Sequence, residues 1–239
     1  MVYIEYPENS KIIYDLTLFL ATEEYAARRL TQFDDCFFMW RVSPSVVVGR
    51  NQVMAAEVNL DYCRENGVRV FRRKSGGGCV YADMGNVMMS YVTSGDNVAF
   101  IFNRYINLVA FALRKMGVEA RVTGRNDVLV DGRKVSGSAY YHLPGRSIVH
   151  GTLLYDTDMR NMQLSITPPA EKLAKNGVKS VRQRIGLLKD FTDKSLENVM
   201  AHIRKTFCAD ETYTLTENDL AEIERIRQTY LSEKFVYGK

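Results

Sequence analysis

Arg72-Arg73-Lys74-Ser75-Gly76-Gly77-Gly78-Cys79-Val80-Tyr81 joins three cations to three glycines directly after a strand-like run. Consecutive glycines let backbone N–H groups approach an anion with no Cβ in the way, and the adjacent cationic groups neutralise it. Phosphate is the natural ligand; a hairpin tip with a solvated basic end is the plainer reading of the same residues. The spacing meets neither G-x-x-x-x-G-K-[ST] nor G-x-G-x-x-G, which argues against a P-loop NTPase and a Rossmann dehydrogenase.

Asp131-Gly132 is the two-residue signal of a type I′ hairpin. It predicts that Val130 pairs with Arg133, Leu129 with Lys134 and Asp127 with Ser136, so that Asp127, Lys134 and Ser136 share one face. Val128, Val130 and Val135 take the other. A carboxylate, an ammonium and a hydroxyl over an apolar floor describe a polar pocket, whereas a solvent-facing hairpin would carry only a weak surface ion pair. His150 and Thr152 share one face of a neighbouring strand, where a hydrogen-bonded structural histidine is the alternative to a base. Lys179-Ser180-Val181-Arg182-Gln183-Arg184 is a second basic cluster, either a solvated surface or a second anion contact. No Ser/His/Asp or Cys/His constellation can be assembled.

The elements that position these residues follow from periodicity. Asp15 can cap a helix to about Leu30, with Leu16, Phe19, Leu20, Ala27 and Leu30 inward. Asp96 can cap a second from Asn97 to Met116, carrying Val98, Ile101, Tyr105, Leu108, Ala112 and Met116, with Gly117 ending it. Leu196, Val199, Ile203 and Phe207 mark a third, and Thr216 with Asp219 makes a capping-box start for a fourth that carries Leu220, Ile223, Arg227 and Tyr230. Strands are predicted at 36–40, 46–49, 68–71, 86–92, 127–130, 133–140 and 147–155. Several are joined by turns too short for a crossover helix, so the expected class is α+β, with a mixed, largely antiparallel sheet packed with helices.

The 239 residues are 46% hydrophobic and 25% charged with a net charge of +4, values of an ordinary globular chain rather than a disordered, collagenous or nucleic-acid-binding one. Cys36, Cys63, Cys79 and Cys208 stand singly, with no C-x-x-C and no zinc spacing to His142, His150 or His202. Without an apolar leader or a membrane-length apolar run, the expectation is a cytoplasmic chain with neither membrane nor nucleic-acid partner.

Taken together, Leu20-Ala21-Thr22-Glu23-Glu24, Gly49-Arg50-Asn51-Gln52, Arg72 to Asn86, Gly124 to Asp127, Asp131 to Tyr140, His150 to Leu154 and Lys179 to Ile185 resemble the lipoate-protein ligase A family in order and spacing. The resemblance implies the catalytic-domain fold shared with biotin protein ligases. It also implies activation of lipoate with ATP and Mg²⁺ to lipoyl-AMP, followed by transfer to a lysine of an acceptor. The acceptors it implies are lipoyl domains of 2-oxoacid dehydrogenases and the glycine-cleavage H protein.

By motif match, Lys134 is the implied catalytic residue. Arg73, Gly76, Gly77, Gly78, Cys79, Val80, Tyr81, Asn126, Asp127 and Lys134 are the implied ATP and lipoyl-AMP binders, and Asp127 the implied Mg²⁺ ligand. Ser136, Gly137, Ser138, Ala139 and His150 are the implied lipoyl pocket. Such chemistry needs no enzyme nucleophile, which suits the missing constellation. Full-length members continue into an accessory domain after an aromatic segment ending in Gly, whereas here Lys234 to Gly238 is followed by Lys239 alone. The expectation is therefore a single catalytic domain over residues 1–239 without the accessory domain. Alternatives are a transferase from preformed lipoyl-AMP, or a catalytic subunit served by a separate accessory chain. A third is an octanoyltransferase working through a Cys79 thioester.

Overall fold

The computed structural model describes residues 1–8, 14–123, 126–166, 185–208 and 210–238. In chain order its strands are β1 (Val2–Glu5), β2 (Asp35–Trp40), β3 (Ser45–Val48), β4 (Arg69–Arg72), β5 (Val80–Ala82), β6 (Asn86–Ser94), β7 (Ala120–Val122), β8 (Asp127–Val130), β9 (Arg133–Leu143), β10 (Arg146–Leu154) and β11 (Thr212–Thr214). The helices are α1 (Leu16–Arg29), α2 (Met54–Glu57), α3 (Leu60–Glu65), α4 (Val98–Lys115), α5 (Met159–Ser165), α6 (Leu196–Cys208), α7 (Glu217–Leu231) and α8 (Glu233–Tyr237).

The main sheet has eight strands in the order β11-β1-β2-β6-β10-β9-β8-β7. β1 runs parallel to both neighbours and the other pairs are antiparallel, so the sheet is mixed and largely antiparallel. The parallel step from β1 to β2 is the one that needs a crossover, and α1 supplies it. A separate three-stranded sheet, β4-β3-β5, takes β3 and β4, which the sequence reading left in one sheet with the rest, and adds β5, which it did not predict. Val46 and Val48 pack there with Met54, Val58, Cys63 and Val68 in a cluster of its own.

Both faces of the main sheet are covered, which is why β6 and β10 read as almost unbroken apolar runs. Val87, Met89 and Tyr91 turn toward α4 and α6, while Met88 and Val92 turn toward α1 and α7. Asp15 caps α1 by accepting the Thr17 N–H at 2.8 Å, and Thr216 with Asp219 forms the expected capping box of α7. α4 begins one residue later than predicted: Asn97, not Asp96, accepts the Phe100 N–H at 3.0 Å. Val98, predicted inward, is 46% exposed, because the buried arc of α4 runs through Ile101, Tyr105, Val109, Ala112 and Leu113.

The β8–β9 turn has positive φ at both Asp131 (49°) and Gly132 (71°), as a type I′ turn requires. Val130 pairs with Arg133 and Leu129 with Lys134, but beyond them a bulge leaves Val135 unpaired. Val128 then meets Ser136 and Asp127 meets Gly137. The extra residue corrects the predicted face: Ser136 lies between Val128 and Leu153, both core residues, with its buried hydroxyl unpartnered.

Candidate active site

The three cations of the Arg72-Arg73-Lys74 run act on the protein itself, which corrects the picture of an anion-neutralising cluster. Arg73 is 4% exposed and sits under the glycine loop between β4 and β5. Its Nη2 donates to the Gly76 and Gly78 carbonyls at 2.7 Å each, its Nη1 to Val47 O at 3.0 Å and its Nε to Ser75 Oγ at 2.9 Å. Burial lowers its pKa to about 10, which leaves the guanidinium charged beneath the loop. Arg72 spends its donors on other carbonyls, and Lys74 lies 2.6 Å from Glu24 Oε2. Gly77 has φ +90°, and Gly49 passes so close beneath it that a Cβ there would overlap the Gly77 carbonyl.

A buried hydrogen-bonded chain joins this loop to α1. Glu23 Oε2 lies 2.8 Å from His150 Nδ1, and His150 Nε2 lies 2.7 Å from Ser75 Oγ. A carboxylate can only accept, so Nδ1 donates to Glu23, and the Ser75 hydroxyl that meets Nε2 also accepts from Arg73. Glu23 Oε1 accepts from Ser90 at 2.6 Å, and Ser90 from Trp40 Nε1 at 2.8 Å. Beside it, burial pushes the Glu24 carboxyl pKa up, but Lys74, Arg28 and the Tyr230 hydroxyl outweigh that and hold it below the ordinary range.

On the opposite wall Lys134 Nζ lies 2.8 Å from Asp127 Oδ1, close enough for an ion pair without an aligned hydrogen bond. The lysine packs flat over Gly137, where a Cβ would come within 2.5 Å of its Cε and Nζ. Gly186 N–H donates to Lys134 O at 2.9 Å, pinning the backbone from the other side. Asn126 exchanges bonds with Ser138, accepting its N–H at 3.0 Å and donating Nδ2–H to its carbonyl at 3.1 Å.

These groups surround a cavity of about 510 Å³. Leu16, Leu20, Trp40, Val47 and Met88 give it an apolar wall; Leu154, Met162, Ile166 and Ile185 give it another, from the cluster under the small sheet. Arg73, Gly77, Gly78, Cys79, Val80, Tyr81, Asn126, Lys134, Gly137, Ser138, Ala139 and His150 all reach it, so the structure brings most of the sequence-predicted residues together. Gly76 does not line it, Asp127 meets it through Lys134, and Ser136 is turned into the core. Lys179 to Arg184, Gly124 and Arg125 lie outside the described residues. Glu23, Glu24 and Ser75 stand in the motif segments but were given no site role from sequence, and Trp40 was placed only in a strand; two acids falling on the inward side of an amphipathic helix, in step with Leu16 and Leu20, were a signal.

Burial pushes the Cys79 thiol up to about 12, against the pull of the Arg73 charge, so it stays protonated at neutral pH. Among the described residues no three His, Cys, Asp or Glu side chains converge as metal ligands, and no helix is long and apolar enough to cross a membrane.

Residues 15–208 match the family model described as the lipoyl protein ligase A/B catalytic domain. Lipoate-protein ligase LplJ of Bacillus subtilis is 35% identical, with 97% of this chain and 73% of the relative covered. Lipoate-protein ligase 1 of Staphylococcus aureus is 36% identical over 95% of this chain and 71% of its own length. The structure of a bi-partite lipoate protein ligase with its E2 lipoyl domain, from Thermoplasma acidophilum, is similar with a TM-score of 0.85 at 27% identity, covering 99% of this chain and 96% of that one.

Proposed function

The chain belongs to the lipoyl protein ligase A/B catalytic-domain family, and from that premise we propose that it is a lipoate-protein ligase whose two half-reactions share the cavity at Lys134. The observation that carries the reading is a cavity with apolar walls that, among the described residues, a single side-chain ammonium faces beside a glycine loop. An acyl chain fits the apolar wall of Leu16, Leu20 and Trp40, and a phosphate fits the loop amides of Gly77 and Gly78 with Lys134 opposite.

In the first half-reaction a lipoate carboxylate oxygen attacks the α-phosphorus of ATP, the O–P bond forms and pyrophosphate leaves. In the second, the ε-amine of an acceptor lysine attacks the acyl carbon, the C–O bond to phosphate breaks, AMP leaves and the amine gives up a proton. Negative charge grows on phosphate oxygens in the first step and on the acyl oxygen in the second. Lys134, already seated by Asp127 and Gly137, meets both without rearrangement. The apolar walls keep water from the part of the anhydride that they cover.

Asp127 keeps one carboxylate oxygen outside its ion pair, enough for Mg²⁺ when phosphates supply most of the other ligands. The ion would add positive charge there and orient the nucleotide. The acceptors in this reading are lipoyl domains of 2-oxoacid dehydrogenases and the glycine-cleavage H protein. Residues 1–239 act as one catalytic domain in the cytoplasm, in keeping with four free cysteines. The raised Cys79 pKa weighs against a thioester route.

A second reading, transfer from lipoyl-AMP with adenylation dependent on a separate accessory chain, is favoured by the likeness to the bi-partite ligase. Mass spectrometry of a purified lipoyl domain incubated with the chain tests both. Modification from lipoate and Mg-ATP supports the self-sufficient ligase; modification from lipoyl-AMP alone supports the second reading; none from either donor overturns both.

A further inference from the structure

Arg72 and Lys74 flank Arg73 and point away from the cavity toward the C-terminal helices. Arg72 is 8% exposed, and its Nε donates to the Val236 carbonyl in α8 at 2.9 Å. Its Nη1 lies within reach of three carbonyls in the next layer: Gly49 at 3.0 Å, Arg50 at 3.1 Å and Gln52 at 2.9 Å. That turn is the floor of the glycine loop, since Arg50 N–H donates to Ser75 O at 2.9 Å and Gly49 lies against Gly77. Lys74 repeats the link one helix back: its ammonium sits 4.9 Å over the Tyr230 ring in α7, and Tyr230 donates to the same Glu24 oxygen that Lys74 pairs with.

We propose that α8 is a positioning element for the glycine loop, with Arg72 as the link. The phosphate side of the cavity then depends on how α8 is seated, and the acyl side does not. The planar guanidinium bridges two layers at once, which an ammonium on a shorter reach cannot do. The acyl wall is built from α1, β2, β3 and β6, and its lining residues share no hydrogen bond with the Arg72 side chain. Val236 holds α8 down by its own side chain, 6% exposed in the cluster under the small sheet, far in sequence from the residues that face the cavity.

The inference rests on the ligase reading, and the test separates the two. Lipoate affinity is read from the fluorescence of Trp40, the chain's single tryptophan, which lines the acyl wall; ATP affinity is read by calorimetry. Arg72→Lys is expected to weaken ATP binding at least tenfold while lipoate affinity stays within twofold. Val236→Ala, which carries the test where Arg72→Lys does not fold, is expected to show the same split with a smaller loss. The double variant should lose less than the product of the two, because both act through one contact. Equal losses of both ligands, or no change in ATP affinity, would overturn the inference with the ligase reading intact. Wild-type protein that binds neither ligand would overturn both.

Discussion

Lys134 is held from three directions: Asp127 beside it, Gly137 beneath it and Gly186 on its backbone. In the proposed role it meets charge that grows in both transition states, so Lys134→Ala should lower adenylation and transfer by about 10²–10³-fold, roughly 3–4 kcal/mol. An unchanged melting temperature would assign the loss to chemistry, and near-wild-type transfer would remove Lys134 from the mechanism. Gly137→Ala makes the complementary case. The new methyl overlaps the end of a flexible lysine chain and touches Asp127 Oδ1 at an ordinary 3.4 Å, so the fold should survive while the ammonium is pushed from its seat. Turnover should fall by roughly tenfold or more at unchanged lipoate affinity. Lys134, Asp127 and the glycines were legible from residue type and spacing. The partners of Glu23 were not, since its place on the inward side of α1 shows that it is covered but not that His150 and Ser90, far along the chain, cover it.

Helix α1 carries two adjacent acids with different tasks: Glu23 orients the His150 ring, and Glu24 anchors Lys74, Arg28 and Tyr230. The folded pKa of Glu24 lies below its ordinary 4.5, so its pairing adds stability that is fully present above that pH and is lost as pH falls through the folded value. Unfolding followed from pH 7 to pH 3 should therefore fall off more steeply below about 4.5 in wild type than in Glu24→Gln. Parallel curves would mean that Glu24 contributes nothing through its charge. Capping of α1 and α7 and the β8–β9 turn were readable in advance because each depends on two or three neighbouring residues. The bulge at Val135 was not, because only the demand of β10 for Leu153 opposite Ser136 reveals the extra residue. The same holds for β1, β5, β7 and β11, whose three or four residues are too short to show a period.

Across the whole molecule, the cavity draws its walls from two of the three core clusters, which lie on the two faces of the small sheet, so a ligand that fills it touches both. Lipoate at about 100 times its Kd should add about 2.7 kcal/mol and raise the melting temperature by several degrees in one transition. No shift at saturation would mean that the acid does not bind there. The class, the mixed sheet and the four long helices were legible because hydrophobic periodicity reports on layers, whereas α2, α3, α5 and α8 are too short to show it. The split into two sheets was not, since strand pairing is decided by contacts distant in sequence. One such pairing sets a timetable. Tyr3 pairs with Thr212, and β1 has only β2 on its other side. While the chain is being made, the sheet therefore waits with an open edge until residue 212 has left the ribosome. The helices that anchor Arg72 and Lys74 emerge later still, so a nascent chain can shelter its apolar core before it can shape its phosphate loop, and competence for nucleotide is among the last properties it acquires.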